Sequence, residues 1–252
     1  MKTTIRCAAF MAAAWTGTAA AEPMVFVMQA FPPFVMDEHS ESEGAFPEMV
    51  RAACALMKAD CRMEIYPWRR ALRMAEEGEV HGILVIQKLP ERERRFYMTP
   101  PIAHSSYVVF ARQESHIAYS SPHDLDGYTI GVYGPSATSQ AADGIAKAVP
   151  AVRIVLEVDN ATVLRKLAAL RYGEKAVAVM NADVGRYLIL SQGIGGLAVA
   201  GEIRKVEYYI GLSRKRFNDR QAERFNAALQ EFGKRGVIRA IANKYGLRLA
   251  VP

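Results

Sequence analysis

The chain has 252 residues, of which 51% are hydrophobic and 23% charged, and its mean hydropathy is close to zero. That balance belongs to a globular protein and excludes a disordered, collagenous or coiled-coil chain. The length suits one large domain or two lobes of roughly 100 to 150 residues, and the formal charge of +6 is scattered apart from Arg92-Glu93-Arg94-Arg95 and Arg214-Lys215-Arg216, a poor pattern for a nucleic-acid surface.

The first 21 residues differ from the rest. Lys2 and Arg6 precede an apolar, Ala-rich stretch with Phe10, Met11 and Trp15, which ends at Ala19-Ala20-Ala21 before Glu22-Pro23. This reads as a secretory signal peptide, because small residues stand at the cleavage position and the apolar run is shorter than the ~20 residues a membrane span needs. Removing it takes away Lys2 and Arg6 and leaves a mildly cationic protein, expected in the periplasm. Cys54 and Cys61 then remain, and two readings stay open: a disulfide, which an oxidising compartment permits, or a pair of buried thiols.

Along the chain, Val25 to Gln29 is a short apolar run ended by Phe31-Pro32-Pro33-Phe34, a buried strand opening into a loop. Met49, Ala53, Leu56 and Met57 then mark one face of a helix from about Phe46 to Lys58. A strand at Arg62 to Tyr66 follows, then a short helix carrying Trp68, Leu72 and Ala75 and closed by Gly78, then a near-continuous apolar strand from Val80 to Ile86. Residues 106 to 112 form another strand. After Ser121-Pro122 the pattern restarts with strand Thr129 to Tyr133, which runs into Gly134-Pro135-Ser136.

A helix bearing Ala141, Ile145 and Ala148 stops at Pro150, and a strand spans Arg153 to Val158. Asn160 is expected to cap the next helix, with Val163, Leu167 and Leu170 on its face and Gly173 at its end. Strand Ala176 to Met180, a helix around Val184 to Leu190, a Gly-rich loop and strand Val206 to Leu212 come next. Two helices with faces Phe225, Leu229, Phe232 and Val237, Ile241, Tyr245 close the chain.

Two successive βα series predict an α/β chain of two lobes, and the strand at 206 to 212 is expected to return to the first lobe beside 106 to 112. The division is 22–112 with 206–252 for lobe 1 and 113–205 for lobe 2. Open α/β sheets bind ligands beyond the carboxyl ends of their strands, so the loops after the strands ending near 29, 86, 133, 158 and 180 should face one cleft.

Read together, these pieces resemble extracellular solute-binding protein family 3, the periplasmic receptors of polar amino-acid ABC transporters. The pieces stand in family order: Phe31-Pro-Pro-Phe34, Pro67-Trp68-Arg-Arg-Ala-Leu72, Gly78-Glu-Val-His-Gly82, Pro90-Glu-Arg92 with Thr99-Pro100-Pro101, Asp124-Leu-Asp-Gly127, Gly134-Pro-Ser136 and Tyr245-Gly246. The resemblance implies a type II periplasmic binding protein fold, two parallel-sheet lobes joined by a two-crossing hinge, acting as a monomer with a small-molecule ligand and a membrane permease as partners. It implies neither cofactor nor metal, and no nucleic-acid partner.

By that resemblance Arg92 clamps a ligand carboxylate, since a guanidinium holds a carboxylate through two parallel charge-assisted bonds. Phe31 and Trp68 would box in the ligand body, Gln87 lies at the end of its strand, and Gly134, Ser136 and Thr138 open the first helix of lobe 2, where free N–H groups meet an anion. Two positions depart from the family. Leu89 replaces a threonine, which removes a hydroxyl donor, and Asn181 replaces the aspartate that would pair with a ligand ammonium. A neutral amide cannot compensate a buried positive charge. Either Asp159 or Asp183 substitutes for it, or the ligand is a plain carboxylate or another small polar molecule. His81, at a common family aspartate, opens a strand away from the cleft and reads as structural.

Two other functions share this fold: an exported enzyme of the cyclohexadienyl dehydratase type, and a ligand sensor for a membrane kinase. The histidines at 39, 81, 104, 116 and 123 lack metal spacing, Gly134-Pro-Ser-Ala-Thr138 lacks the last glycine of a nucleophile elbow, and Gly193-Ile-Gly-Gly196 precedes a strand instead of following one, unlike a dinucleotide loop. Binding without catalysis is the expectation.

Overall fold

The computed structural model describes residues 22–38 and 41–249. The expected signal peptide, and His39, lie outside them.

In lobe 1, β1 (Met24–Met28) lies between β4 (Cys61–Ile65) and β5 (Gly82–Ile86), all parallel. Side chains alternate across this sheet. Phe26, Met28 and Leu84 face α1 (Ala45–Met57), α7 (Asp219–Lys234) and α8 (Val237–Lys244), whereas Val27, Ile83 and Ile86 face α2 (Trp68–Glu77). A small hairpin of β2 (Met36–Glu38) and β3 (Glu41–Glu43) precedes α1, and α3 (Pro90–Glu93) with β6 (Phe96–Met98) follows β5. Cys54 at the end of α1 and Cys61 at the start of β4 form a disulfide, with Cα atoms 6.2 Å apart.

In lobe 2, β8 (Thr129–Tyr133) is flanked by parallel β9 (Arg153–Glu157) and β10 (Ala176–Asn181). Ile130, Val132, Val177 and Val179 pack on α4 (Ala137–Ala148) through Ala142 and Ile145. The opposite face, with Ala178 and Met180, carries α5 (Asn160–Ala168) and α6 (Ala182–Ser191).

The lobes hang on two long antiparallel strands, β7 (Ala103–Arg112) and β11 (Leu197–Ser213), paired over the whole of β7 and over Leu197 to Tyr208 of β11. β7 reaches lobe 2 by pairing Tyr107–Phe110 with β10, and β11 reaches lobe 1 by pairing Tyr209–Leu212 with β5. β12 (Arg248–Leu249) adds a short pairing to β7 at Ala103 and His104. The full order is β4-β1-β5-β11-β7-β10-β8-β9, with β6 beside β11.

Three expectations are corrected. The strand placed at 206 begins at Leu197: its first half, small and apolar up to Gly201 and then mostly charged, pairs with β7. Asp159, not Asn160, caps α5, because its carboxylate accepts the Thr162 N–H at 2.6 Å and Asn160 is already helical. The buried face of α1 is Phe46, Met49, Val50, Ala53 and Cys54, which leaves Leu56 42% exposed, one step around the helix from the core.

Candidate functional site

Strand ends from both lobes meet around one cleft of about 580 Å³, open mouth included. From lobe 1 it takes Gln29 after β1, Phe31, Trp68 at the head of α2, Leu84 and Val85 of β5, Gln87 and Arg92. Tyr107 and Tyr208 come from the two connecting strands, and Tyr133, Ser136, Ala137 and Thr138 come from the turn between β8 and α4.

Backbone geometry places several of these. In β5, Leu84 pairs with Ile210 and Ile86 with Tyr209, so Val85 is an extra residue bulged out of the ladder, at φ 57. A β-branched residue rarely adopts that conformation, at a cost of order 1–3 kcal/mol, and a bulge is a way to re-aim side chains beside a site. Here it lets the consecutive residues Leu84 and Val85 both line the cleft. At Ser136, the N-cap of α4, the hydroxyl accepts the Ser139 N–H at 3.1 Å and donates to the Tyr133 carbonyl at 2.7 Å. The Gln140 N–H returns to the Ser136 carbonyl, so the first-turn N–H groups left for a ligand are those of Ala137 and Thr138, at the cleft wall.

Arg92 is the one charged side chain on that wall. Its Nη1 donates to the Gln87 carbonyl at 3.1 Å, and its guanidinium lies 5.4 Å from the centre of the Trp68 ring, a cation–π contact that fixes the group over the cleft. It makes no ion pair among the described residues. Burial pulls its pKa below the usual arginine value, partly offset by Glu91. A carboxylate in the cleft would reverse that penalty.

The remaining polar groups are neutral. Gln87 Nε2 donates to Tyr107 Oη, and Asn181 Nδ2 donates to Tyr208 Oη at 3.0 Å. Burial raises the pKa of Tyr107, and that of Tyr208 well above the usual value, so both stay protonated and keep an O–H to donate. Gln29 Nε2 donates across the cleft to Tyr133 Oη at 3.1 Å. Phe31 stacks on Phe34 at 5.5 Å and meets the edge of Tyr208 at 5.8 Å.

Of the candidates, the cleft brings together Phe31, Trp68, Gln87, Arg92, Ser136 and Thr138. Gly134 sits one step behind the wall, against Leu156 and Ser139. Asp159 lines a neighbouring cavity that shares Gln29 and Tyr133 with the cleft. Asn181 is outside: only 1% exposed, it donates to Ser105 Oγ at 2.8 Å and accepts the N–H groups of Asp183 and Val184 as the cap of α6. Sequence reasoning missed Gln29, Tyr107, Tyr133 and Tyr208. Gln29 and Tyr133 were within its reach, as the last residues before their loops; the other two sit inside near-continuous buried strand runs that mark no site.

Two βα lobes on a shared pair of strands, with a cleft between them, make the type II periplasmic binding protein fold. The family model described as bacterial extracellular solute-binding proteins, family 3, matches residues 24–248, and the chain belongs to that family. No curated protein matches the sequence. Among solved structures, a histidine kinase sensor domain with similarity to periplasmic binding proteins is similar at 22% identity and TM-score 0.77, over 91% of this chain and 99% of that one. The substrate-binding protein of an amino acid ABC transporter has 18% identity and TM-score 0.73, over 89% and 99%. The ancestral amino acid-binding protein AncCDT-1, a precursor of cyclohexadienyl dehydratase, has 14% identity and TM-score 0.74, over 88% and 94%. At these identities the likeness is one of fold. Among the described residues, no helix is long and apolar enough to cross a membrane and no group of His, Cys, Asp and Glu is placed to hold a metal ion.

Proposed function

We propose that the chain is an exported receptor that captures a small carboxylate-bearing solute, an amino acid or a related acid, between its lobes and presents the closed form to an ABC transporter permease. Lobe 1 is 22–112 with 206–252 and lobe 2 is 113–205, with β7 and β11 serving both. The observation that carries the reading is Arg92: a cation facing the interlobe cleft, partly buried, stacked on Trp68 and without an ion-pair partner among the described residues. Opposite it stand the first-turn N–H groups of α4, so a carboxylate between them would bind both lobes and favour closure. The reading is binding and not catalysis: among the described residues the cleft wall carries no His, Asp or Glu placed as general acid.

The test is thermal unfolding of the purified protein, freed of bound solute, against amines, amino acids and mono- and dicarboxylates. A carboxylate at 100 times its dissociation constant adds about 2.7 kcal/mol, roughly 5 to 11 °C for a chain of this size. Arg92→Ala should weaken that ligand by roughly 2 kcal/mol or more, about thirtyfold. Stabilisation by amines alone, or by carboxylates unchanged in Arg92→Ala, would overturn the reading.

A further inference from the structure

The charge balance of the cleft narrows the class of solute. Apart from Arg92, its wall is neutral: apolar at Phe31, Trp68, Leu84 and Val85, hydrogen-bonding at the glutamines, tyrosines, Ser136 and Thr138. No Asp or Glu lines it. The acidic groups that could have received a ligand ammonium are engaged elsewhere. Asp159 lines the neighbouring cavity beyond the Gln29–Tyr133 bridge, where it accepts the Thr162 N–H at 2.6 Å and the Thr162 hydroxyl at 2.9 Å. Asp183 accepts the Ser105 hydroxyl and stands 3.8 Å from Arg186. Asn181 is turned inward, with its amide wholly used by Ser105, Tyr208 and the start of α6.

An amino acid seated with its carboxylate on Arg92 would therefore place an ammonium in a partly desolvated cleft with no counter-charge. The guanidinium would repel it, and the amides and hydroxyls of the wall offer neutral acceptors at most, with no negative charge to offset the ammonium. Burying an unpaired cation is among the costliest changes a site can face. An acid lacking the ammonium meets only the favourable half of that electrostatics.

Resting on the receptor reading above, we propose that the cleft selects small monocarboxylates with an apolar or aromatic body and no α-ammonium, such as 2-hydroxy acids or simple alkanoic and arylalkanoic acids, over the corresponding amino acids. The aromatic wall takes the body, Arg92 and the start of α4 take the carboxylate, and the Gln29 amide and the Thr138 hydroxyl oxygen suit a neutral hydroxyl at C2.

The experiment is calorimetric titration of the purified, solute-free protein with acids that differ only at C2: phenylalanine, 3-phenyllactate and 3-phenylpropanoate, then leucine, 2-hydroxy-4-methylpentanoate and 4-methylpentanoate. In each set the acids without nitrogen should bind about tenfold or more tighter than the amino acid. Gln29→Glu, which puts a carboxylate on the wall, should move the ratio back toward the amino acid. Amino acids that bind as tightly as their nitrogen-free partners, with Arg92→Ala abolishing both, would overturn this selectivity and leave the receptor reading intact; a ratio unmoved in a folded Gln29→Glu protein also counts against it. Absence of binding by every carboxylate would overturn both. The wild-type ratio decides the question if Gln29→Glu does not fold.

Discussion

Asn181, expected from the sequence to face the ligand, is held by the fold for other work. Its Nδ2 reaches two hydroxyls, Ser105 on β7 and Tyr208 on β11, while its Oδ1 caps α6, so one amide ties both connecting strands to the end of β10. An acid at this position would not face the cleft. Asn181→Asp replaces the double donor by a buried acceptor and puts a second carboxylate beside Asp183. The expected result is a loss of roughly 1–3 kcal/mol in urea unfolding, with no gain in amino-acid affinity. Amino-acid binding acquired by that variant without loss of stability would show that the side chain faces the ligand.

At the scale of elements, the junction of β1 and β5 carries a pH-sensitive contact. His81, just before β5, accepts the Val25 N–H on Nδ1 at 3.1 Å, and its Nε2 lies 3.3 Å from Arg216, which also meets Glu22 at 3.5 Å. Burial and then Arg216 push its pKa below the ordinary 6.5, with Glu22 working the other way. The fold thus prefers the neutral ring while the unfolded chain takes up a proton more readily. Stability from this site is full above pH 6.5 and is lost as pH falls through the lower, folded-state value. In melting temperature against pH, His81→Asn, which keeps an acceptor for Val25 but cannot titrate, should lie flatter than wild type below pH 6.5; superimposable curves would refute the assignment. Elements of this kind were largely legible in the sequence, because apolar runs and helical spacing report burial directly. The helix faces came out one step off at Leu56, since spacing alone does not say which of two adjacent stripes meets the sheet. The β2–β3 hairpin, β6 and the first half of β11 escaped because they are short, or polar on the side facing solvent. At the site, Arg92, Phe31 and Trp68 were legible through motif order, but the bulge at Val85 and the inward turn of Asn181 depend on strand pairing between residues more than 70 positions apart.

For the whole molecule, direct side-chain ties between the lobes can be named among the described residues. Gln29 to Tyr133 is one, and Tyr187 Oη to the Met36 sulfur at 3.6 Å is another. A single neutral hydrogen bond contributes about 1 kcal/mol, roughly a fivefold change in the ratio of closed to open forms. Tyr133→Phe removes the acceptor for Gln29 and should enlarge the radius of gyration of the solute-free protein in small-angle scattering, with added ligand restoring it. An unchanged radius would mean that this hydrogen bond does not set the separation of the lobes.

The strand order has a further consequence, for the order of events as the chain is made. All of lobe 2's parallel strands and their helices lie in one continuous stretch, but the β5 edge of lobe 1 is covered only when Tyr209–Leu212 arrive, and α1 is packed only when α7 and α8 follow. At ribosomal rates the intervening residues take on the order of ten seconds to appear. Until then β5, apolar through Ile83, Leu84 and Ile86, presents an unpaired strand edge, the feature most prone to pairing with another chain. A half-made copy is thus stickier than a finished one, and whatever keeps copies apart must act before the last fifty residues are in place.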